Sequence, residues 1–287
     1  MPLLEALLAG TTQGLFYGLL AAGFSLTFGV ARTFNLAHGE LVILGAYAGL
    51  WLNASLGVGP LLAAFLAAPA VAAWAWPARA LLARLTPPYE LKALTLTFGL
   101  SLLLQNLMLL LFSADYRFLR WEAGADGWRL LDIPISGARL TAATVGGALL
   151  LALHLFLQRT RPGRALRATC QDARAAALMG IPVERMQLLG LALGGGLAGA
   201  AGPLLAGLQY ATPTAGTPLT VIALTLTIAG GVGRTDGLAL AGLLFGLTEA
   251  LVGALAGPAW REAWLFGTFL LLLQGRRVGL LRGRRGS

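Results

Sequence analysis

The residues able to do chemistry in this chain are few and grouped. The segment Arg32-Thr-Phe-Asn-Leu-Ala-His-Gly-Glu40 sets a carboxamide, an imidazole and a carboxylate (Asn35, His38 and Glu40) between two strongly apolar runs. Such groups can hydrogen-bond a broken backbone, which is tolerated at membrane depth only where it is buried or lines a cavity. The same segment also fits an ordinary turn, with Asn and Gly supplying the geometry. A second break, Gly230-Gly-Val-Gly-Arg-Thr-Asp-Gly237, precedes another apolar run, and Gly230, Gly231 and Gly233 make it conformationally permissive. Glu249 falls near the middle of the apolar run Gly237–Ala256. A carboxylate there is costly, and it marks either a pathway or gating site or a buried bond to a neighbouring helix. The amides and hydroxyls Thr95, Thr97, Ser101, Gln105, Asn106, Thr220, Thr225 and Thr227 can line a polar path. Taken singly, they serve equally as glue between helices.

Other chemistries are excluded by what is missing. His38 and His154 are the only histidines and Cys170 the only cysteine, so neither a metal cluster nor a disulfide framework is expected. A phosphate-binding loop needs Gly-x-x-x-x-Gly-Lys-Ser/Thr; the only lysine, Lys92, follows Pro-Pro-Tyr-Glu-Leu. Any nucleotide is therefore bound by another chain. Gly194, Gly196 and Gly199 spell the dinucleotide fingerprint, but inside an apolar run with no acid downstream at Thr212–Thr217.

The longest polar segment is Gln158–Arg185, QRTRPGRALRATCQDARAAALMGIPVER. It reads as a short basic helix with a small-residue face, ending at Gly180-Ile181-Pro182. In a membrane protein, such a shelf suits a soluble partner.

The elements that must position these groups follow from composition. Of 287 residues, 57% are hydrophobic and 11% charged, against about 25% charged in a soluble domain. Mean hydropathy is +0.76. The bilayer is the expected solvent, and the fold class is an all-α, polytopic transmembrane bundle of about eight or nine spans in one domain over residues 1–287. The expected runs are Thr12–Val30, Leu36–Asn53, Pro60–Trp76, Ala93–Phe112, Leu140–Leu157, Met186–Gly207, a short weak Leu219–Ala229, Gly237–Ala256 and Trp264–Leu273. A barrel would show alternating strands, and the sequence has none. With no basic leader or cleavage site, the first run is expected to insert and stay.

The net charge of +9 is sorted by membrane side, which argues against nucleic acid. One set of breaks holds Arg32, Arg79, Arg84, Lys92, the Arg159–Arg185 cluster, Arg234 and the tail Arg276, Arg277, Arg282, Arg284 and Arg285, 16 of the 21 basic residues. The other holds Arg117, Arg120, Arg129, Arg139 and Arg261. The positive-inside rule puts the first set in the cytoplasm, with the N-terminus outside and the C-terminus inside. That requires an odd number of crossings, so Leu219–Ala229 must cross or a second segment must be re-entrant. The external loop 113–138 carries Asp115, Trp121, Glu122, Asp126, Trp128 and Asp132, and suits either a docking cap or a solvated connector.

Glycine recurs at four-residue spacing: Gly10, Gly14 and Gly18; Gly45 and Gly49; Gly195 and Gly199; Gly242 and Gly246; Gly253 and Gly257. This predicts close helix seams. Leu26-Thr27 before Arg32-Thr33 resembles Leu226-Thr227 before Arg234-Thr235, consistent with an internal repeat whose interrupted segments mark a binding region.

Three ordered motifs resemble a known family. FNLAHGELVILGAY (Phe34–Tyr47), the loop RTRPGRALRATCQDARAAALMGIPVERM (Arg159–Met186) and GGVGRTDGLALAGLLFGLTEAL (Gly230–Leu251), with TFGLSLLLQN (Thr97–Asn106), are similar to permease subunits of branched-chain amino-acid ABC importers, the LivH type. Asp236 and Arg234 depart from that pattern, as does Leu219-Thr220-Val221, which lacks a lysine. The resemblance implies a type II-like importer permease in a bacterial inner membrane. It implies a second homologous permease, two ATPase subunits carrying ATP and Mg, an extracytoplasmic solute-binding protein, and no cofactor or catalysis in this chain. The loop 158–186 becomes a coupling element, with Ala175, Ala176, Ala177, Met179 and Gly180 as docking surface and Arg167 and Asp172 beside them. Asn35, His38, Glu40, Gln105, Gly230, Gly231, Gly233 and Glu249 become path or gating candidates. The alternatives are a related permease for urea, amides or other amino acids, a stand-alone transporter or channel using Glu249, and a non-transporting assembly subunit.

Overall fold

The structure is a computed structural model that describes residues 2–119, 128–130, 133–135, 137–257 and 259–277. Its helices are α1 (Pro2–Ala31), α2 (His38–Leu56), α3 (Pro60–Ala72), α4 (Ala75–Ala83), α5 (Tyr89–Phe112), α6 (Gly137–Arg159), α7 (Arg161–Gln171), α8 (Ala173–Leu178), α9 (Val183–Leu208), α10 (Gly216–Gly230), α11 (Thr235–Leu255) and α12 (Trp260–Arg277). Among the described residues, the paired strands are a hairpin of β1 (Trp128–Leu130) and β2 (Ile133–Ile135) in the loop after α5. Arg120, Trp121, Glu122, Asp126 and Asp132 of that loop, and Arg282, Arg284 and Arg285 of the tail, lie outside the described residues.

Among the described residues, eight helices are long and apolar enough to cross a membrane. The weak seventh run is one of them, because α10 and the short turn Pro213–Ala215 before it make a single 18-residue segment. α12 contains the ninth expected run but brackets it with Arg261, Glu262, Arg276 and Arg277. The expected span Pro60–Trp76 is two helices: Pro69 lies inside α3, and the chain turns at Ala73–Trp74 before α4. α3 runs through Pro69, with the Ala73 N–H still bonded to the Pro69 carbonyl. Pro77, in the first turn of α4, has no N–H for the Ala73 carbonyl and crowds the preceding turn, which accounts for the interruption.

α1 is the axis. Of its apolar window 83% is buried, against 72% for α9 and only 22% for α5, so α5 turns its apolar side outward. α1 packs on α11, α9, α6 and α10, and α9 also packs on α2 and α3. The expected glycine seams hold the two main contacts. A Cβ at Gly14 would lie 2.7 Å from the Leu243 Cα, and one at Gly10 2.8 Å from the Gly246 carbonyl oxygen, so α1 and α11 touch backbone to backbone. Gly45 meets Gly199, with the Cα 2.8 Å from its would-be Cβ, and Gly49 meets Pro203 at 2.7 Å. Lipid offers no hydrophobic drive for helix association, so this close approach supplies dispersion contact instead. Gly257 is an exception: it sits past the end of α11 at φ 101°, with nothing near it. Gly194 and Gly199 serve the same seams against α1 and α3, which closes the dinucleotide reading.

The breaks collect at two ends. At one, Arg32 reaches Gln171, Arg79 of α4 pairs with Glu184 of α9 at 2.8 Å, and Gly29, Cys170 and Val232 meet. At the other, Arg117 and Ala211 bridge in antiparallel fashion and the Leu119 N–H donates to the Ala206 carbonyl at 2.8 Å.

Candidate functional site

The first break is a junction between discontinuous helices. α1 ends at Ala31 and is followed by Arg32, whose φ of 56° is the left-handed conformation usually left to glycine at a helix C-terminus. The chain then climbs back into the bundle as residues 33–37, and α2 starts at His38. The His38 ring lies against Phe24 edge-on at 5.4 Å, with Nε2 3.3 Å from the Leu20 carbonyl. His38 and Glu40 are thus helical and fully buried rather than part of a surface turn. The Asn35 side chain accepts from the Ala37 N–H at 3.1 Å and shapes the last bend.

A broken backbone inside a membrane protein must find partners for its freed groups. Here hydroxyls from two other helices supply them. Thr97 Oγ1 of α5 lies 3.1 Å from the Phe34 carbonyl and also 3.1 Å from its own Leu94 carbonyl. Thr220 Oγ1 of α10 accepts the Gly39 N–H at 2.8 Å. Its proton faces the Leu36 carbonyl at 3.3 Å and the Gly216 carbonyl at 3.2 Å. Two of the hydroxyls thus satisfy the break rather than simply joining helices. Thr227 does join helices, donating to the Ala21 carbonyl at 3.2 Å. Thr95, Asn106 and Thr225 bond only their own helices' carbonyls. Gln105 is half-buried on α5.

Glu40 occupies the centre of this junction. Its Oε1 accepts from Ser101 Oγ at 3.4 Å, a long contact, and Oε2 has no hydrogen-bond partner. The carboxyl group rests directly on Gly216, the first residue of α10, where any side chain would overlap it. The N-terminus of α10 presents partial positive charge there, which favours a carboxylate. Gly39 packs equally tightly on the Gly216 carbonyl. Two helix starts therefore meet at one buried acid. Along the first break, Thr33, Asn35 and Thr97 bound a cell of about 20 Å3, room for a single water. A larger cavity of about 250 Å3, lined by Arg79, Tyr89 and Gln187, adjoins it from the basic end and shares Ala31, Leu82 and Leu191. The junction is closed in this conformation.

The second break is held against α1. Gly231 and Gly233 adopt φ of 88° and 76°, and the Gly233 N–H donates to Ser25 Oγ at 2.9 Å. Gly230 and Gly237 are in backbone contact across the bend, so neither tolerates a side chain. His154 of α6 bonds Thr235 at 2.7 Å, just after it.

The basic shelf is two helices rather than the expected one. α7 is capped by Thr160, which accepts the Gly163 N–H at 3.0 Å. The chain becomes extended at Asp172, φ −153° and ψ 107°, which then caps α8 by accepting from the Arg174 and Ala175 N–H groups at 2.8 and 3.0 Å. Those two bonds hold the Asp172 carboxyl below its ordinary range. Arg167 bonds the Gln158 side chain at 2.7 Å, inside the shelf. Ala176 corrects the expected docking surface: it is 4% exposed and faces the bundle. Ala175, Ala177 and Gly180 are exposed. So are Met179 at 83% and Leu178 at 89%, and Leu178 was absent from the expected set. A large apolar residue inside a basic loop was the available signal.

Glu249 is half-buried in the half of α11 away from the shelf, and lines a cavity of about 250 Å3 with Arg139, Gln13, Tyr17 and Gln209. Arg139 lies 110 positions away in sequence, so this company was invisible. Among the described residues no cluster of metal-ligating side chains forms.

The bundle with its two broken segments and its basic shelf has the form of a transport subunit. The profile of the branched-chain amino acid transport system permease component matches residues 6–273, and the chain belongs to that family. It is 30% identical to the high-affinity branched-chain amino acid transport system permease protein BraD of Pseudomonas aeruginosa, over 97% of this chain and 95% of that one. Identity to the Escherichia coli K12 permease protein LivH is also 30%, with the same coverage. Identity to the probable LivH of Methanocaldococcus jannaschii is 28%, over 92% and 83%. Among solved structures, PsaBC from Streptococcus pneumoniae in complex with Fab aligns with a TM-score of 0.44 at 16% identity, over 95% of this chain and 89% of that one.

Proposed function

We propose that this chain is the membrane permease subunit of an ATP-driven importer of branched-chain or related hydrophobic amino acids. It works with a second permease, two ATPase subunits that bind ATP and Mg, and an external solute-binding protein. The shelf lies in the cytoplasm and the N-terminus outside, in keeping with the crowding of basic residues at one end. A nucleotide-biased ATPase seated on α8 shifts the bundle between conformations, and this chain performs no covalent chemistry. The observation that carries the reading is the apolar pair Leu178 and Met179, held out from a basic shelf in a chain with no phosphate loop of its own.

The test is uptake of labelled L-leucine into proteoliposomes holding both permeases and the ATPases, with the binding protein supplied outside. Uptake should need internal ATP and vanish without the ATPase subunits. Uptake by the permeases alone would sink the reading.

A further inference from the structure

The cavity around Glu249 has a lining that neither break nor shelf requires. It lies between α1, α6, α9 and α11 at the end of the bundle away from the shelf, with a volume of about 250 Å3. One carboxylate, Glu249, and one guanidinium, Arg139, face it from different helices. Two carboxamides, Gln13 and Gln209, and the apolar surfaces of Tyr17 and Leu208 complete it. The other described cavities of comparable or larger volume lack this pairing: that near α4 has only Arg79, and the groove of about 480 Å3 by α12 has only Arg234.

The floor of the cavity is rigid. Gly246 lines it three residues before Glu249, and Gly10 follows Ala9, another lining residue. These two glycines form the α1–α11 contact in which backbones meet without side chains. Gln13 and Glu249 are thus carried on helices whose spacing is fixed, as a preorganised polar site requires. Tyr17 is steadied by its edge-on contact with Phe245 at 5.7 Å.

We infer that this cavity is a binding subsite for a free zwitterionic α-amino acid with a short aliphatic side chain. Glu249 takes the α-ammonium, Arg139 the α-carboxylate, and Leu208 with the Tyr17 ring covers the side chain. A guanidinium offers paired donors that match a carboxylate, which a lysine would not. Gln13 and Gln209 supply the remaining hydrogen bonds. The inference rests on the amino-acid reading above and gives it a place in this chain.

The experiment measures equilibrium binding to the permease–ATPase complex in nanodiscs, without the external binding protein. Three probes separate the charges: L-leucine, 3-methylbutylamine without the carboxylate, and 4-methylpentanoate without the ammonium. Glu249→Gln should weaken leucine and the amine at least tenfold and leave the acid unchanged. Arg139→Gln should weaken leucine and the acid at least tenfold and leave the amine unchanged. Equal loss of all three probes in either variant would mean a structural charge pair and overturn the assignment. Unchanged leucine binding in both variants, or no leucine binding by the unmodified complex, overturns it too. The uptake assay stands apart: transport of leucine with no binding here sinks the subsite alone, whereas transport of some other solute instead sinks the amino-acid reading.

Discussion

The Arg32 guanidinium donates to the Gln171 carbonyl at 2.6 Å, joining the end of α1 to the last residue of α7 across 139 positions of chain. Gln171 sits at the C-terminus of α7, where helix carbonyls are unsatisfied and a cation is favoured. One residue back, Cys170 Sγ is 2.9 Å from the position a Gly29 Cβ would take. The shelf and the first break are therefore mechanically one piece at this point. Arg32 also holds a positive φ, a strained conformation that persists only where surroundings enforce it.

Arg32→Ala removes the shelf's side-chain tie to α1. Both groups are exposed, so the bond is worth about 0.5–1.5 kcal/mol. Uptake per ATP hydrolysed should fall about 2- to 10-fold, with the complex still assembled. Parallel assays of ATPase rate and uptake check this, and unchanged coupling would assign the bond a purely local role.

Gly216→Ala tests the junction. The added methyl overlaps the Glu40 carboxyl, and overpacking a close-packed interior costs about 1–3 kcal/mol. Thermal unfolding in detergent should show a clear drop in Tm. Gly99→Ala is the control: nothing lies within 4 Å of the new methyl, and alanine is the better helix former by up to about 1 kcal/mol. Equal behaviour of the two variants would remove the steric argument.

The sequence showed the bundle and its seams because both are periodic properties. Apolar length reports a span, and glycine every fourth residue reports a helix face whichever helix it meets. The phase of α8 was not legible, because Ala175, Ala176 and Ala177 are identical in type and only tertiary packing decides which one faces the bundle. The split at Asp172 had a local signal, an acid able to cap the helix after it, masked by helix-forming residues on both sides. The partners of Thr97 and Thr220 were hidden for another reason. A mid-helix threonine can always bond its own preceding turn, so its sequence position does not say whether it reaches a distant carbonyl.

Thr220→Val keeps the shape of the side chain and removes its oxygen. The Gly39 N–H and the Leu36 carbonyl then lose a partner in a buried place, worth about 1–3 kcal/mol for each group left unpaired. Thr225→Val, whose hydroxyl bonds only the Val221 carbonyl of its own helix, should be much milder. A comparison of their unfolding temperatures decides whether α10 holds the break.

Burial pushes the Cys170 thiol up to about 11, with nearby Arg32 opposing it. A raised thiol pKa means the protonated form is the one the fold favours. The associated stability is present below the unfolded value and is lost as pH rises through about 11. Maleimide labelling at pH 8 should run roughly two orders of magnitude slower than for a free cysteine, because it follows the thiolate fraction. Mass spectrometry across pH 7 to 10 reads the profile. Labelling as fast as a free thiol would mean the Gly29 contact is open in solution.

Leu178→Glu and Met179→Glu place a charge on the exposed tip of α8, where neither side chain supports the bundle. The permease should fold as before and lose co-purifying ATPase subunits, since an apolar side chain at the centre of an interface carries a large share of its binding energy. Ala176→Glu is the opposite case. Its methyl is turned inward, so the new carboxylate must be buried or α8 displaced, and the permease itself should lose thermal stability. Retention of the ATPase subunits by both tip variants would show that the partner seats elsewhere on the shelf, with exposed Ala175 and Ala177 the next positions to probe.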